Sequence, residues 1–272
     1  MARRARTAFA ALIVVGLAVA AIAVGARVLW HAAQTAVRSD GCDFGDFSLD
    51  IGQAQVASTV VGVVLTRNLP ERAAVLVIGA ALQESKLRNL APGEGDRDSV
   101  GILQQRPSQG WGTAAQISDV RYATGKFLDA VVKVPNWQTD TLANVVQAVQ
   151  VSADGSAYAQ HEAEAQAVSD ALTGKTAMGV SCHFGKPTAV AKPATVAADL
   201  SDNLPVRAPT TAGDNVTVTG AGWATVGWFV CNADNLGIDT VRYAGHAWSR
   251  AKGWRTDSSA GTAAVVATLA KL

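Results

Sequence analysis

Residues 78–112 read IGAALQESKLRNLAPGEGDRDSVGILQQRPSQGWG, and they constrain this chain more than any other stretch. Their first part completes a helix that the pattern starts near Asn68. Asn68 is the candidate cap, Pro70 suits a first turn, and Glu71 complements the positive end of the helix dipole. Val77, Ala81 and Glu84 then fall on one face, so a single carboxylate closes an otherwise apolar stripe. A Gly- and Asp-rich loop follows, then a short apolar run at 100–103, Gln104 and Gln105, and a Pro-Ser-Gln-Gly-Trp-Gly turn. The pattern sets a carboxyl at the end of an apolar helix, immediately before an irregular loop.

The N-terminus carries a different signal. Three arginines within residues 1–6 precede an uncharged apolar run at 8–26, long enough to span a bilayer. The basic flank orients that run with its N-terminal side in the cytoplasm and the remainder outside. Two readings stay open: a retained membrane anchor, or a signal peptide cleaved after Val24-Gly25-Ala26. A buried core helix fits the terminal position and basic flank poorly. The chain has 272 residues, a net charge of +1 and 17% charged residues, which gives no electrostatic footprint for nucleic acid.

Along the chain, residues 1–30 read as the anchor or signal segment and 31–48 as a tether. Residues 49–184 read as a helical domain, 185–212 as an extended Pro-, Ala- and Thr-containing linker, and 213–272 as a small α+β unit. The helical domain shows helix periodicity from Leu49, over 68–87, 117–132 and 141–153, and in an Ala-rich segment at 161–173 stopped by Gly174. No alternating strand pattern interrupts it. In the tail, 223–236 reads as helix, 238–243 and 263–269 as strands, and Lys252-Gly253-Trp254 as a turn. The fold class expected is mainly α.

Gln83-Glu84-Ser85 at a helix end, followed by Gly101-Ile102-Leu103-Gln104 and Pro107-Ser108, resembles the Glu-Ser…Gly-Leu-Met-Gln…Pro pattern of soluble lytic transglycosylases. A closer resemblance is to exported actinobacterial-type proteins carrying QESKLRNL…GDRDSVGLFQQRPSQGWGT. It covers about half the chain, roughly from Cys42 to Cys182, and implies a goose-lysozyme-like helical domain. One segment departs from the pattern: Asp154-Gly155-Ser156 stands where the related proteins usually read Phe-Pro-Asp. The tail resembles the C-terminal half of a zinc-peptidase-like domain, but the final His-x-Asp-His-x-His run is missing. His246 is the only histidine there, and a zinc site needs three or four converging ligands. No metal or cofactor is expected.

Three cysteines in an exported chain invite pairing. Cys42 and Cys182 bracket the helical domain and are the expected disulfide. Cys231, beside Phe229 and Val230 in a helical stretch, reads as a small buried side chain.

Cleaving a glycosidic bond requires a carboxylic acid that stays protonated near neutral pH. Glu84 suits that need: an apolar face and the negative end of a helix dipole both disfavour its ionisation. Lys86 and Arg88 oppose this if they point inward. A hydrolase would need a second carboxylate, and Asp96 and Asp98 are the candidates, although Gly-Asp-Arg-Asp-Ser reads equally well as a self-stabilised turn. The resemblance implies that Glu84 works alone, first as acid and then as base toward the sugar's 6-hydroxyl, giving a 1,6-anhydro product. It also implies that Ser85 orients Glu84 or the acetamido group, that Gln104 and Gln105 bond N-acetyl sugar groups, and that Tyr158 lines the cleft. The expected protein is a lytic transglycosylase or lysozyme-type muramidase acting on peptidoglycan glycan strands, held at the cell membrane with its domains outside or secreted to the wall. The alternative is a non-catalytic peptidoglycan-binding or scaffold protein.

Overall fold

A single buried helix organises the molecule. In the computed structural model, which describes residues 40–150 and 155–272, the helix Glu71–Ser85 has every residue from 73 to 82 buried. Helices around it supply its walls. We call the preceding helix, Ile51–Thr66, α1 and the central one α2. Asp50 caps α1: its carboxylate accepts from the Gln53 N–H at 2.8 Å, while Gln53 Oε1 accepts from the Asp50 N–H at 2.7 Å. α3 (Ala114–Ile117), α4 (Val120–Val131), α5 (Leu142–Gln150) and α6 (Glu162–Leu172) follow, with α6 against α2 along its length.

Asn68 does not cap α2. The N-cap is Pro70, which makes no side-chain bond, and Asn68 instead sits at φ 51° just past the end of α1. Asparagine tolerates the left-handed conformation that ends a helix, so it serves the helix before it rather than the one after it.

The fold is not mainly α. The described residues are 44% helical and 18% strand, with a six-stranded and a three-stranded antiparallel sheet. The smaller sheet joins β1 (Gly41–Phe44) to β2 (Phe47–Leu49) and β3 (Ser181–His183), in the order β2-β1-β3. Half of the expected tether is therefore a hairpin built into the core, with Cys42, Phe44 and Leu49 buried. In the C-terminal sheet β4 (Thr210–Ala212), β5 (Asn215–Thr219), β6 (Ile238–Tyr243), β7 (His246–Ser249), β8 (Gly253–Thr256) and β9 (Ala264–Leu269) run in the order β4-β5-β9-β6-β7-β8. Gly253-Trp254, expected in a turn, instead begins β8. β6 and β9 are the two strands expected at 238–243 and 263–269; the others are three to five residues long, too short for alternation to stand out from an Ala- and Val-rich background.

The stretch 185–212 is not extended throughout. It holds a helix, α7 (Pro193–Asn203), whose Val196 and Leu200 are fully buried. α8 (Trp223–Cys231) lies between the large sheet and helices α1 and α6, so one hydrophobic core runs through both ends of the described chain. The four-residue α9 (Ala233–Leu236) follows it. Arg250 is 6% exposed and holds this junction: it donates to the Gly185 carbonyl at 2.9 Å, pairs with Asp234 at 3.0 Å, and lies over the Phe184 ring.

Among the described residues no helix is long and apolar enough to cross a membrane. The segment at 8–26 and residues 151–154, including Asp154, lie outside them.

Candidate active site

The site starts from how α2 stops. Lys86 and Leu87 both take positive φ, 57° and 59°, which ordinary residues adopt at a cost of about 1–2 kcal/mol each. Leu87 is fully buried, its N–H donates to the Ala81 carbonyl at 2.9 Å, and Gln53 Nε2 donates to the Lys86 carbonyl at 2.6 Å. Burial and these bonds hold the reversed turn in place. They leave Glu84, one residue before the helix ends, half-buried at the head of the loop that follows.

That loop folds back by a tight turn. Val100 and Gln105 exchange backbone hydrogen bonds at 2.9 and 3.1 Å, Gly101 takes φ +77°, and Ile102 and Leu103 are fully buried. A Cβ on Gly101 would come within 2.7 Å of the Ile117 carbonyl oxygen, so glycine is needed for conformation and space alike. Ser85 ties helix to turn: its hydroxyl donates to the Ile102 carbonyl at 2.7 Å and approaches the Ala81 carbonyl at 3.2 Å. At 7% exposure, Ser85 is committed to the backbone.

Glu84 meets two partners. Tyr158, in the 3₁₀ segment Gly155–His161, donates its hydroxyl to Glu84 Oε1 at 2.5 Å. The Gln150 side chain, at the end of α5, also hydrogen-bonds Glu84, and its Nε2 donates to the Leu103 carbonyl at 2.9 Å. Burial raises the Glu84 pKa, and the bonds from Tyr158 and Gln150, which favour the carboxylate, reduce that rise without cancelling it. A carboxyl so placed can hold a proton to higher pH than an ordinary glutamate, and two donors await the anion formed on its release. Next to it, Gln83 Oε1 accepts from Gln160 at 3.2 Å and lies 3.0 Å from His161 Nε2; burial lowers the His161 pKa.

The remaining candidates divide. Asp98 accepts from Arg106 Nε at 2.6 Å and from the Ser108 N–H at 2.9 Å, and these bonds hold its carboxyl well below the usual carboxylate range. It is a loop clasp. Asp96 has a side chain 90% exposed, with Arg97 at 3.8 Å. Gln104, at φ 46°, turns its amide to the Gly101 carbonyl at 2.9 Å. Gln105 is 1% exposed and reaches toward α4, where its nitrogen is 3.4 Å from the Ala123 carbonyl and its Oε1 has no hydrogen-bond partner among the described residues. The structure thus brings Glu84, Ser85 and Tyr158 together and sends Gln105 elsewhere. Cys42 and Cys182 are disulfide-bonded across the register of β1 and β3.

Gln150 is the neighbour that sequence reasoning misses. Leu142, Val146 and Gln150 recur at four-residue spacing, so one polar group ends an apolar stripe, as Glu84 does on α2. A separate depression of about 610 Å³, bordered by Asp50, Gln53, Arg88, Asn89 and Val120, does not include Glu84. In the tail, the His246 Nδ1 lies 2.8 Å from the Ala244 carbonyl and its ring centroid is 6.1 Å from that of Trp223. Compared with known protein families the sequence matches no family model, and a search of curated proteins returns no match.

Proposed function

We propose that this protein cleaves the N-acetylmuramic acid–N-acetylglucosamine linkage of peptidoglycan glycan strands, with Glu84 as the single acid and base. The observation that carries the reading is a half-buried glutamate with a raised pKa, held by the Tyr158 hydroxyl beside a loop with a transglycosylase-like motif. Protonated Glu84 gives its proton to the glycosidic oxygen as the bond to the sugar's anomeric carbon breaks, and the neighbouring acetamido oxygen stabilises the positive carbon. The carboxylate then takes the proton of the same sugar's 6-hydroxyl, whose oxygen closes on the anomeric carbon. Tyr158 and Gln150 stabilise the anion between the two transfers. Asp98, engaged by Arg106 and the Ser108 N–H, supports a one-glutamate route over a two-carboxylate one. The same reading sets the protein at the outer side of the cell membrane or in the wall, with glycan strands as its partner.

A second reading, a non-catalytic glycan-binding or scaffold protein, draws on Gln104 and Gln105, whose amides are directed to backbone rather than to an open cleft. One experiment separates the two. Purified parent protein and Glu84→Gln are incubated with isolated cell walls, and released muropeptides are identified by mass spectrometry. The catalytic reading expects 1,6-anhydro products from the parent and a loss of about 10²–10⁴-fold in the variant. Equal digestion by both proteins removes Glu84 from the chemistry. Binding by both without any release establishes the scaffold reading.

A further inference from the structure

The sulfur atoms of Cys42, Cys182 and Cys231 all lie within 4.8 Å of one another, and all three residues are buried. Two of them form the disulfide and the third is a free thiol. The convergence comes from three separate elements. β1 and β3 set Cys42 directly opposite Cys182, and Cys231 closes α8, which packs on β3. A thiol this close to a disulfide is within reach of exchange after small side-chain movements, once it is deprotonated and lines up with the S–S bond.

We propose that Cys231 is an internal exchange thiol that can take either partner of the Cys42–Cys182 bridge and so move the disulfide onto helix α8. In the step, the Cys231 S–H gives up its proton and its sulfur bonds to one bridge sulfur. The Cys42–Cys182 bond breaks, and its electron pair leaves with the other bridge sulfur, which takes up a proton. One disulfide and one thiol stand on each side, so no oxidant or reductant is consumed.

Burial makes the exchange intramolecular, since Cys231 is fully covered and a solution thiol has no route to it. Burial alone also pushes the Cys231 thiol far above its ordinary pKa, with no charged group contributing. Thiolate is therefore scarce in the closed fold. The native bridge persists at rest, and exchange proceeds while α8 is still settling onto β3, as the chain folds or locally opens. A bond first made between Cys231 and either partner is then not a dead end, because the third sulfur lies beside it to resolve it.

The test is oxidative refolding of the full chain. Reduced protein is folded in a glutathione redox couple, quenched with acid at intervals, alkylated and mapped by mass spectrometry. Species bridged through Cys231 should appear early and convert to the Cys42–Cys182 form in a first-order phase whose rate is independent of protein concentration. Cys231→Ala should refold without that phase. Cys42→Ser, oxidised in the same way, should form a Cys182–Cys231 bridge while keeping the parent's circular dichroism. The proposal is overturned if no bridge through Cys231 is seen at any time in the parent, or if folded Cys42→Ser and Cys182→Ser both retain two free thiols. Because the parent is mapped directly, the proposal can still fail or stand when a variant does not fold.

Discussion

Ser85 gives the sharpest test of how the loop is held beside Glu84. Its motif position suggests contact with substrate, yet its hydroxyl is spent on the Ile102 carbonyl at 2.7 Å. Ser85→Ala leaves the Ala81 carbonyl satisfied, since the Leu87 N–H still donates to it at 2.9 Å. The Ile102 carbonyl has no second donor among the described residues, and Ile102 itself is fully buried. A lost hydrogen bond with an acceptor left buried and unpaired costs about 1–3 kcal/mol. At a urea slope of about 2 kcal/mol/M, the unfolding midpoint should fall by about 0.5–1.5 M. On the proposed function, glycan binding measured well below that midpoint should change little, because the hydroxyl removed is committed to backbone carbonyls. The reasoning is refuted if the midpoint holds while affinity for isolated walls drops, for Ser85 would then face substrate.

Three further outcomes follow from the same geometry. The raised folded-state pKa of Glu84 contributes stability at acid pH that is lost as pH rises through that value, whereas a glutamine in its place loses nothing. Thermal melts of Glu84→Gln and parent should therefore diverge from about pH 4.5 upward, with the variant the more stable at pH 7; an unchanging difference across that range would contradict the assignment. Reducing the Cys42–Cys182 bridge, which spans a sequence separation of 140, should cost about 5 kcal/mol in the chain-entropy model, read as a shift in denaturation midpoint on adding a strong reductant. Gly79→Ala places a methyl 2.1 Å from Leu142 Cδ1, so overpacking of about 1–3 kcal/mol should outweigh the ~1 kcal/mol helix-propensity gain. Combining it with Leu142→Ala should destabilise by less than the sum of the two changes, and simple additivity would show that α2 and α5 do not meet there.

The parts legible in the sequence are those where one residue breaks a regular pattern. Glu84 stands out as the carboxylate ending an apolar stripe, and β6 is readable because Ile238 and Val241 lie in a β-prone segment after a glycine. The fold class is misread where strands are too brief to show a period. β7 and β8 have four residues each, and the three-residue β4 falls at the end of the expected linker. Asn68 shows another limit: one residue could end α1 or begin α2, and only the distance between the helices decides. Gln104 and Gln105 show a third. Adjacent glutamines in a turn look alike in sequence, but the positive φ of Gln104 sets which amide meets the loop and which enters the core.

The cross-strand bridge also decides how the molecule bears tension. Cys42 and Cys182 sit opposite each other on neighbouring strands, one at the entrance to the helical part and one at its exit. A pull applied near residue 40 and resisted beyond residue 184 passes through a covalent bond and bypasses every helix from α1 to α6. The backbone carrying Glu84 lies outside that covalent path, so the load reaches it only through side-chain packing such as that of α8 on α1 and α6. In the reduced molecule only the β1–β3 strand pairing stands between the same pull and those helices.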